Sequence, residues 1–409
     1  MRRVAVTGFG AVSAFGVGVP SLWEGLVAGR SAIRPITVCE TKGLASPIAA
    51  EVPAFSARSV VTEEHSLVLD RFAEFALVAA AEAVRHAGLE LTDEERTRAG
   101  VAIGTGIGGA GREDEAYYNV YVRNLPRIHP FTIPRIMYNA AASHVSMAQG
   151  WQGPTICIST ACASASHAIG EASEMIRAGR TDVMLAGGAD APIAYGIMRA
   201  WEAMRVLAPP LDGDPSRACR PFSRDRQGLV LGEGSGLLVL EDWDRAVRRG
   251  ATIHAELAGY GATADAGHIT APGVEAPARA ITTALAQAGV PPDRIQYVNA
   301  HGTATRLNDS TETTILKRVF GDHARRLAIS STKSMHGHAM GASGALEAIA
   351  AILAITHGVV PPTANYTEPD PECDLDYVPN QARKLKVDAA ISNSFAFGGL
   401  NAVLLLRRP

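Results

Sequence analysis

Thr155-Ile156-Cys157-Ile158-Ser159-Thr160-Ala161-Cys162-Ala163-Ser164-Ala165 compresses a strand, a turn and a helix start into one segment. Thr155–Ile158 is a short apolar, β-branched run of the kind that forms a buried strand. Ser159–Ala161 is a turn of small residues, and Ser164–Ala178 continues with helical periodicity. A strand that feeds a helix through a tight turn is the building unit of an α/β sheet. The same reading puts Cys162 at the strand-to-helix elbow, where the field of the helix N-terminus favours a thiolate. A free thiol, with a pKa of about 8.5, is only a few per cent ionised at neutral pH, and a fall of about 1.5 units would ionise half of it. A lowered thiol pKa is therefore the expectation for Cys162, whereas Cys157 reads as a small buried hydrophobe in the strand.

Working outward, the same alternation fills the chain. Strands are expected at 3–9, 99–103, 183–186 and 236–241, and again at 253–260, 297–300, 327–330, 389–393 and 402–406. Amphipathic helices fall between them at 69–86, 277–288, 310–319 and 344–356. The pattern is α/β, with helices covering sheet on both faces. A strand, glycine-rich turn and helix recur in both halves of the chain, which divide near Trp243–Arg249 into residues 1–245 and 246–409. At 409 residues the chain can bury a large core without a disulfide or a structural metal.

The net charge of −3, from 38 basic and 41 acidic residues, argues against a nucleic-acid binder. Five scattered cysteines with no CxxC fit a reducing, cytoplasmic setting, not a disulfide framework or a zinc site. Met1-Arg2-Arg3 and the apolar stretch after it imitate an export signal. Four glycines before residue 19 and the strand-like Val4-Ala5-Val6 favour a first strand instead. No apolar run reaches membrane-spanning length, and 345–355, which contains Glu347, reads as a buried helix.

Gly104-Thr105-Gly106-Ile107-Gly108-Gly109 matches GxGxxG, but the region about 20 residues on lacks the strand and acid of a dinucleotide site. Close backbone approach is the better reading of those glycines. His301, in Asn299-Ala300-His301-Gly302-Thr303, and Lys333 and His338, in Thr332-Lys333-Ser334-Met335-His336-Gly337-His338, both follow expected strand ends. Strand ends are where α/β sites assemble. One cysteine and two histidines at such positions point to thiol-based acyl transfer. A cysteine hydrolase needs only one histidine and an orienting Asn or Asp, so a second histidine and a lysine suit a reaction that also stabilises a developing oxyanion. The turn Ser392-Asn393-Ser394-Phe395-Ala396-Phe397-Gly398-Gly399 could supply a backbone N–H to pair with that of Cys162.

Taken in this order, the Cys162 elbow, His301-Gly302-Thr303, Lys333…His338 and Phe397-Gly398-Gly399 resemble the β-ketoacyl-acyl carrier protein synthases, the elongating type II condensing enzymes, over essentially the whole chain. Ala200–Pro209 and Val359–Tyr366 are similar to the nodulation ketosynthases of rhizobia, which build specialised, often polyunsaturated chains, and related synthases serve polyene and polyketide pathways. The resemblance implies a thiolase-like fold of two similar halves in five α-β-α-β-α layers, forming a dimer. It implies that Cys162 carries the acyl group and that His301 and His338 hold malonyl-carrier for decarboxylation. Lys333 would tune the histidines, paired with Glu347, since a buried lysine without a carboxylate is costly. Phe397 would gate the acyl pocket and share the oxyanion hole. Thr303, Thr305 and Thr270 would line the pantetheine tunnel, and Ile107 and Thr132 the acyl pocket and its dimer wall. Loss of CO2 drives the reaction, so no metal or other cofactor is implied beyond the carrier's phosphopantetheine. The partners implied are an acyl carrier protein, docking at basic residues such as Arg127 and Arg205, and a second copy or a related chain-length-factor subunit.

The chain departs from the family pattern at Ala165, Ala304 and Ala396, each usually glycine, and at Leu400, usually threonine, with Asn401 retained. These departures bear on the acyl substrate, and the small Thr132 suggests a long or rigid chain. The alternatives are a housekeeping elongation synthase, the active half of a heterodimer with a chain-length factor, and a cysteine-dependent acyltransferase or hydrolase.

Overall fold

The first strand of each half and the long helix packed on it decide how closely sheet and helices approach. The structure, a computed structural model, describes residues 1–409. β1 (Val4–Ser13) is buried along its entire length, and α1 (Arg71–Ala87) crosses it so closely that Cβ atoms on Gly8 and Gly10 would overlap the carbonyl oxygens of Ala83 and Ala79. The remaining strands of the first half are β2 (Ala99–Gly104), β3 (Thr155–Ile158), β4 (Val183–Asp190) and β5 (Gly234–Asp242). The second half contains β6 (Ala255–Ala264), β7 (Tyr297–Asn299), β8 (Ala328–Ser330), β9 (Ala389–Ala396) and β10 (Leu400–Arg407).

Strand order is β3-β2-β4-β5-β1 in the first half and β8-β7-β9-β10-β6 in the second, the same order shifted by five strands. Directions repeat as well: β5 and β10 are antiparallel to both of their neighbours, and the other pairings within each half are parallel. Even the tight approach repeats. Gly259 and Gly261 on β6 face Ala284 and Ala280 of α7 (Glu275–Ala288) as Gly8 and Gly10 face Ala83 and Ala79. The halves are not separate sheets. Ala5 pairs with Glu256 and Val6 with Ala255, so β1 and β6 join them into one continuous sheet.

α1 and α4 (Ala140–Gln149) cover one outer face, and α7 and α8 (Arg306–Phe320) cover the other. Between the two halves of the sheet lie α5 (Ser164–Arg177) and α9 (Ser343–His357), each touching strands of both halves and the other helix. The result is the five-layer α-β-α-β-α arrangement. Its largest apolar cluster, 46 side chains, fills the middle layer, and clusters of 30 and 23 lie under the outer helices. Met340–His357 is apolar enough by composition to cross a membrane, but 89% of it is buried inside the protein, because α9 has sheet on both sides. Three further helices, α2 (Ala110–Tyr121), α3 (Thr132–Ile136) and α6 (Tyr195–Ala203), lie on insertions whose periodicity was too short or too polar to read from the chain.

The glycine contact gives a direct test. Gly261→Ala must force strand and helix apart, and we expect a loss of about 1–3 kcal/mol in denaturant unfolding, as for other overpacked cores. An unchanged midpoint would mean that the contact is slack.

Candidate active site

The C-terminal ends of β2, β3, β4, β7, β8 and β9 converge where α5 and α9 begin. Two residues with positive φ precede these helices at matching places, Ala161 (φ 49°) before α5 and Met340 (φ 48°) before α9. Such backbone is uncommon for residues with a Cβ and costs about 1–3 kcal/mol. At the first elbow it turns Cys162 inward, and the Ser164 hydroxyl ties the turn by donating to the Ala161 carbonyl (2.6 Å) and accepting from the Thr160 N–H (2.9 Å). Cys162, His301 and His338 are buried, and one donor atom from each lies within 4.8 Å of the other two. The imidazoles stand nearly perpendicular, 86°, with centroids 5.7 Å apart.

Each histidine is fixed from behind. The His301 and Gly302 N–H groups donate to the two carboxylate oxygens of Glu312 on α8 (2.9 and 2.8 Å), and Asn393 Nδ2 donates to the same carboxylate (3.1 Å). The backbone N–H of His338 donates to the Val230 carbonyl (2.8 Å), and the imidazole Nδ1 pairs with the Ser343 hydroxyl (2.8 Å). His301 Nδ1 and His338 Nε2 have no partner within the protein. Lys333 forms a buried ion pair with Glu347, as the resemblance implied. Burial, and then the Lys333 charge, hold both imidazoles well below the ordinary histidine range, so each is neutral and carries one N–H. Burial raises Glu347 to about 7, opposed by Lys333.

The expected lowering of the Cys162 pKa is not what the structure gives. Burial pushes the thiol up to about 11. Lys333 and the backbone N–H groups of Phe397 and Cys162 pull the other way and only limit the rise. The elbow is buried, so desolvation outweighs the helix field. At rest the site holds a neutral thiol with two neutral imidazoles beside it. Cys, His and His are donor types that a zinc ion takes. Here, however, the Lys333 charge bears on all three, which favours a developing anion over a second cation.

A cavity of about 290 Å³ reaches Cys162 from the surface, and Thr303, Thr305 and Thr270 are among its lining residues. The Thr303 and Thr305 hydroxyls are 2.9 Å apart. Ala304 between them has φ 66°, so the alanine found where the family has glycine carries backbone strain. Phe397 lines the same cavity, with its ring stacked on Trp201 at 6.0 Å. Ile107 and Thr132 do not border the cavity. Ile107 lies on the Gly104–Gly109 turn, and Thr132 starts α3 with its hydroxyl on the His129 carbonyl. Arg205 adjoins cavity-lining Met204 and Val206, whereas Arg127 lies in an exposed segment away from the rim.

The GxGxxG turn has an internal ligand. Asp190, buried at the end of β4, accepts from the Thr105 hydroxyl (2.5 Å) and from the N–H groups of Gly106 (2.8 Å), Ile107 (3.4 Å) and Gly341 (2.6 Å). Neither Asp190 nor Glu312 was read as functional from the sequence. Glu312 did leave a trace. Asp309 and Glu312 share the apolar face of α8 with Ile315 and Leu316, where an unpaired acid is costly.

Burial raises Glu312 to about 7. The folded protein thus holds this proton more tightly than the unfolded chain does. The stability it contributes is present below the ordinary carboxylate range and is lost as pH rises toward 7. The unfolding free energy of the wild type relative to Glu312→Gln should therefore fall as pH is raised from about 4.5 to about 7. A pH-independent difference between the two proteins would contradict this assignment.

Comparison with known proteins agrees with this geometry. Residues 1–246 match the profile of the beta-ketoacyl synthase N-terminal domain, and residues 254–367 match that of the C-terminal domain. The chain is 48% identical over 409 residues to nodulation protein E of Rhizobium sp. (strain N33), covering all of this chain and 99% of that one. It is 42% identical to 3-oxoacyl-[acyl-carrier-protein] synthase 2 of Synechocystis sp., covering 100% and 98%. Among solved structures it superposes on the ishigamide ketosynthase/chain length factor with a TM-score of 0.93 at 38% identity, covering 100% and 99%. It also superposes on a type II PKS ketosynthase, bound to the hexaketide and in complex with its acyl-carrier protein, with a TM-score of 0.92 at 36% identity, covering 100% and 99%. With its Cys-His-His site and its duplicated five-layer architecture, the chain belongs to the β-ketoacyl synthase family of condensing acyltransferases.

Proposed function

We propose that the protein condenses a Cys162-bound acyl chain with malonyl-carrier to give a 3-oxoacyl-carrier. The observation that carries this reading is the pair of neutral imidazoles, each with a partnerless nitrogen, next to the thiol and the Lys333–Glu347 pair. In the first step the thiol loses its proton to a neighbouring imidazole and attacks the carrier thioester. The N–H groups of Cys162 and Phe397 take up the oxyanion, each such donor being worth about 3 kcal/mol. The carrier thiol leaves with the proton. In the second step His301 and His338 donate to the malonyl thioester oxygen while the bond to CO2 breaks. The electron pair left on the enolate attacks the acyl carbon, and the Cys162 sulfur departs as a thiolate that takes up a proton from water to restore the resting thiol. Lys333 stabilises the negative charge that develops in both steps. A hydrolase is disfavoured because neither histidine has an Asp or Asn to orient it: His338 Nδ1 meets a serine hydroxyl, and His301 Nδ1 meets nothing.

The acyl donor and malonyl extender arrive on an acyl carrier protein, and the chemistry needs no metal or redox cofactor. The likeness to nodulation protein E and to type II polyketide ketosynthases supports a role in a specialised unsaturated or polyketide-type pathway over housekeeping elongation. Five free cysteines suit a reducing compartment such as the cytoplasm. Intact-mass analysis of protein mixed with acyl groups on a purified bacterial acyl carrier protein tests the chemistry. The wild type should gain an acyl adduct that malonyl-carrier clears with release of the longer 3-oxoacyl product. Cys162→Ala should gain none, and His301→Ala should be acylated but fail to release product. An adduct that water alone clears would favour a hydrolase.

We infer further that the working unit is a dimer with a second chain of this fold. β3 ends the sheet with an unpaired edge, exposed Met137 and Tyr138 (47% and 46%) border its Cys157, and Tyr121, Val122 and Ile133 of the same 110–138 segment are exposed by 77%, 58% and 63%. An open edge next to an apolar surface calls for a partner. Light scattering should give a dimer for the wild type and a monomer for Ile133→Glu. A monomeric wild type that condenses unaided would overturn this.

A further inference from the structure

Thr303 and Thr305 are separated by one residue, yet both line the Cys162 cavity and their hydroxyls meet at 2.9 Å. In extended backbone, positions two residues apart are separated by about 6.6 Å. The left-handed turn at Ala304 (φ 66°) closes that gap. One of the two O–H groups is spent on the other, so one proton remains for an acceptor in the cavity. An alanine does not hold this backbone of its own accord, so the turn must be held by its surroundings.

Arg226 does the holding. Its side chain is 2% exposed. Nε donates to the Thr305 carbonyl (3.4 Å) and Nη2 to the Arg306 carbonyl (3.0 Å). The guanidinium is fixed in turn by the Ser223 carbonyl (2.9 Å), by an ion pair with Asp370 and by Asp309 in the first turn of α8 (3.7 Å). Two residues on, the Gly228 N–H donates to the Ala304 carbonyl (3.1 Å). The segment thus grips three successive carbonyls, those of residues 304 to 306. Burying a cation is costly, and none of the bond-making steps above uses this one. We propose that Arg226 is a positioning residue for the carrier's arm: it fixes the loop so that the Thr303–Thr305 hydroxyl pair is set to donate to an amide carbonyl of the phosphopantetheine. This rests on the synthase reading, in which the arm crosses this cavity to reach Cys162. Arg226 touches no reacting atom and acts through the loop. A lysine in its place keeps the charge for Asp309 and Asp370, but a point donor cannot span both carbonyls as the planar fork does.

The test compares two donors of one acyl group, the acyl-pantetheine thioester, which carries the amides of the arm, and the S-ethyl thioester, which has none. Cys162 acylation is followed by intact mass, and the readout is the ratio of the two second-order rate constants, which cancels any general loss from imperfect folding. The wild type should favour acyl-pantetheine, and Arg226→Lys should lower the ratio about five- to tenfold, the worth of one misplaced hydrogen bond. In a chain already carrying Thr303→Val and Thr305→Val, adding Arg226→Lys should change the ratio by less than about twofold, because the hydroxyls through which it acts are gone. Arg220→Lys is the control: Arg220 is equally buried in the same segment, but it pairs with Asp225 and makes no hydrogen bond to the loop. An unchanged ratio in Arg226→Lys, or an equal fall in Arg220→Lys, would overturn the assignment. A wild type that takes both donors equally well would overturn it while leaving the Cys162 chemistry intact. Failure of the wild type to be acylated by either donor or by an acyl carrier would overturn the synthase reading, and this inference with it.

Discussion

A buried helix must satisfy the N–H groups at its start, and the architecture meets this requirement at two matching places with opposite solutions. α5 and α9 both begin inside the protein, each preceded by a residue with φ near 50°. At the α9 elbow the Gly341 N–H, with those of Gly106 and Ile107, closes on the Asp190 carboxylate. The anion site is filled by the protein itself. At the α5 elbow no carboxylate arrives. The Cys162 and Phe397 N–H groups act on the thiol instead, which under the proposed function leaves them for an oxygen that gains charge only during reaction. Helix starts favour anions, and the chain uses one for structure and keeps the other for chemistry.

The electrostatics of the open site follow from its depth. A thiol raised to about 11 and imidazoles held neutral belong to a resting state with almost no charge other than the Lys333–Glu347 pair. Under the proposed function, such a site meets the neutral acyl thioester of the first step without a desolvated charge to neutralise. Its preformed N–H donors and one ammonium then act most strongly where the reaction creates negative charge, because enclosure lowers the local dielectric. The helix field alone would have suggested a permanent thiolate. Burial reverses that result, and the proton must be moved within the catalytic cycle.

The two halves share strand order, strand direction and even the Gly-aromatic-Gly contact with an Ala-x-x-x-Ala helix face. In the chain the repeat is carried by Gly8-Phe9-Gly10 and Gly259-Tyr260-Gly261, which only the superposed halves single out. Most of the strands and the long helices were legible because fully buried strands are continuous apolar runs and core helices keep their period. The edges were less so. β1 extends to Ser13 and β4 to Asp190, past the apolar runs, because glycines and a buried aspartate continue the ladder. The short helices α3 and α6 have too few turns to impose a period.

The sequence by itself determined the chemistry: a cysteine at a strand-to-helix elbow, two histidines and a lysine after later strands, and a glycine-rich turn to close the site. These are local signals, since each residue type and its neighbours announce a strand end. The tertiary structure alone decided what surrounds them. Glu312 behind His301, Asp190 beneath the glycine turn, Trp201 against Phe397 and the thiol's high pKa all arise from residues far apart in the chain that burial brings into contact. Desolvation and packing depend on every neighbour at once, and no local window of sequence contains them.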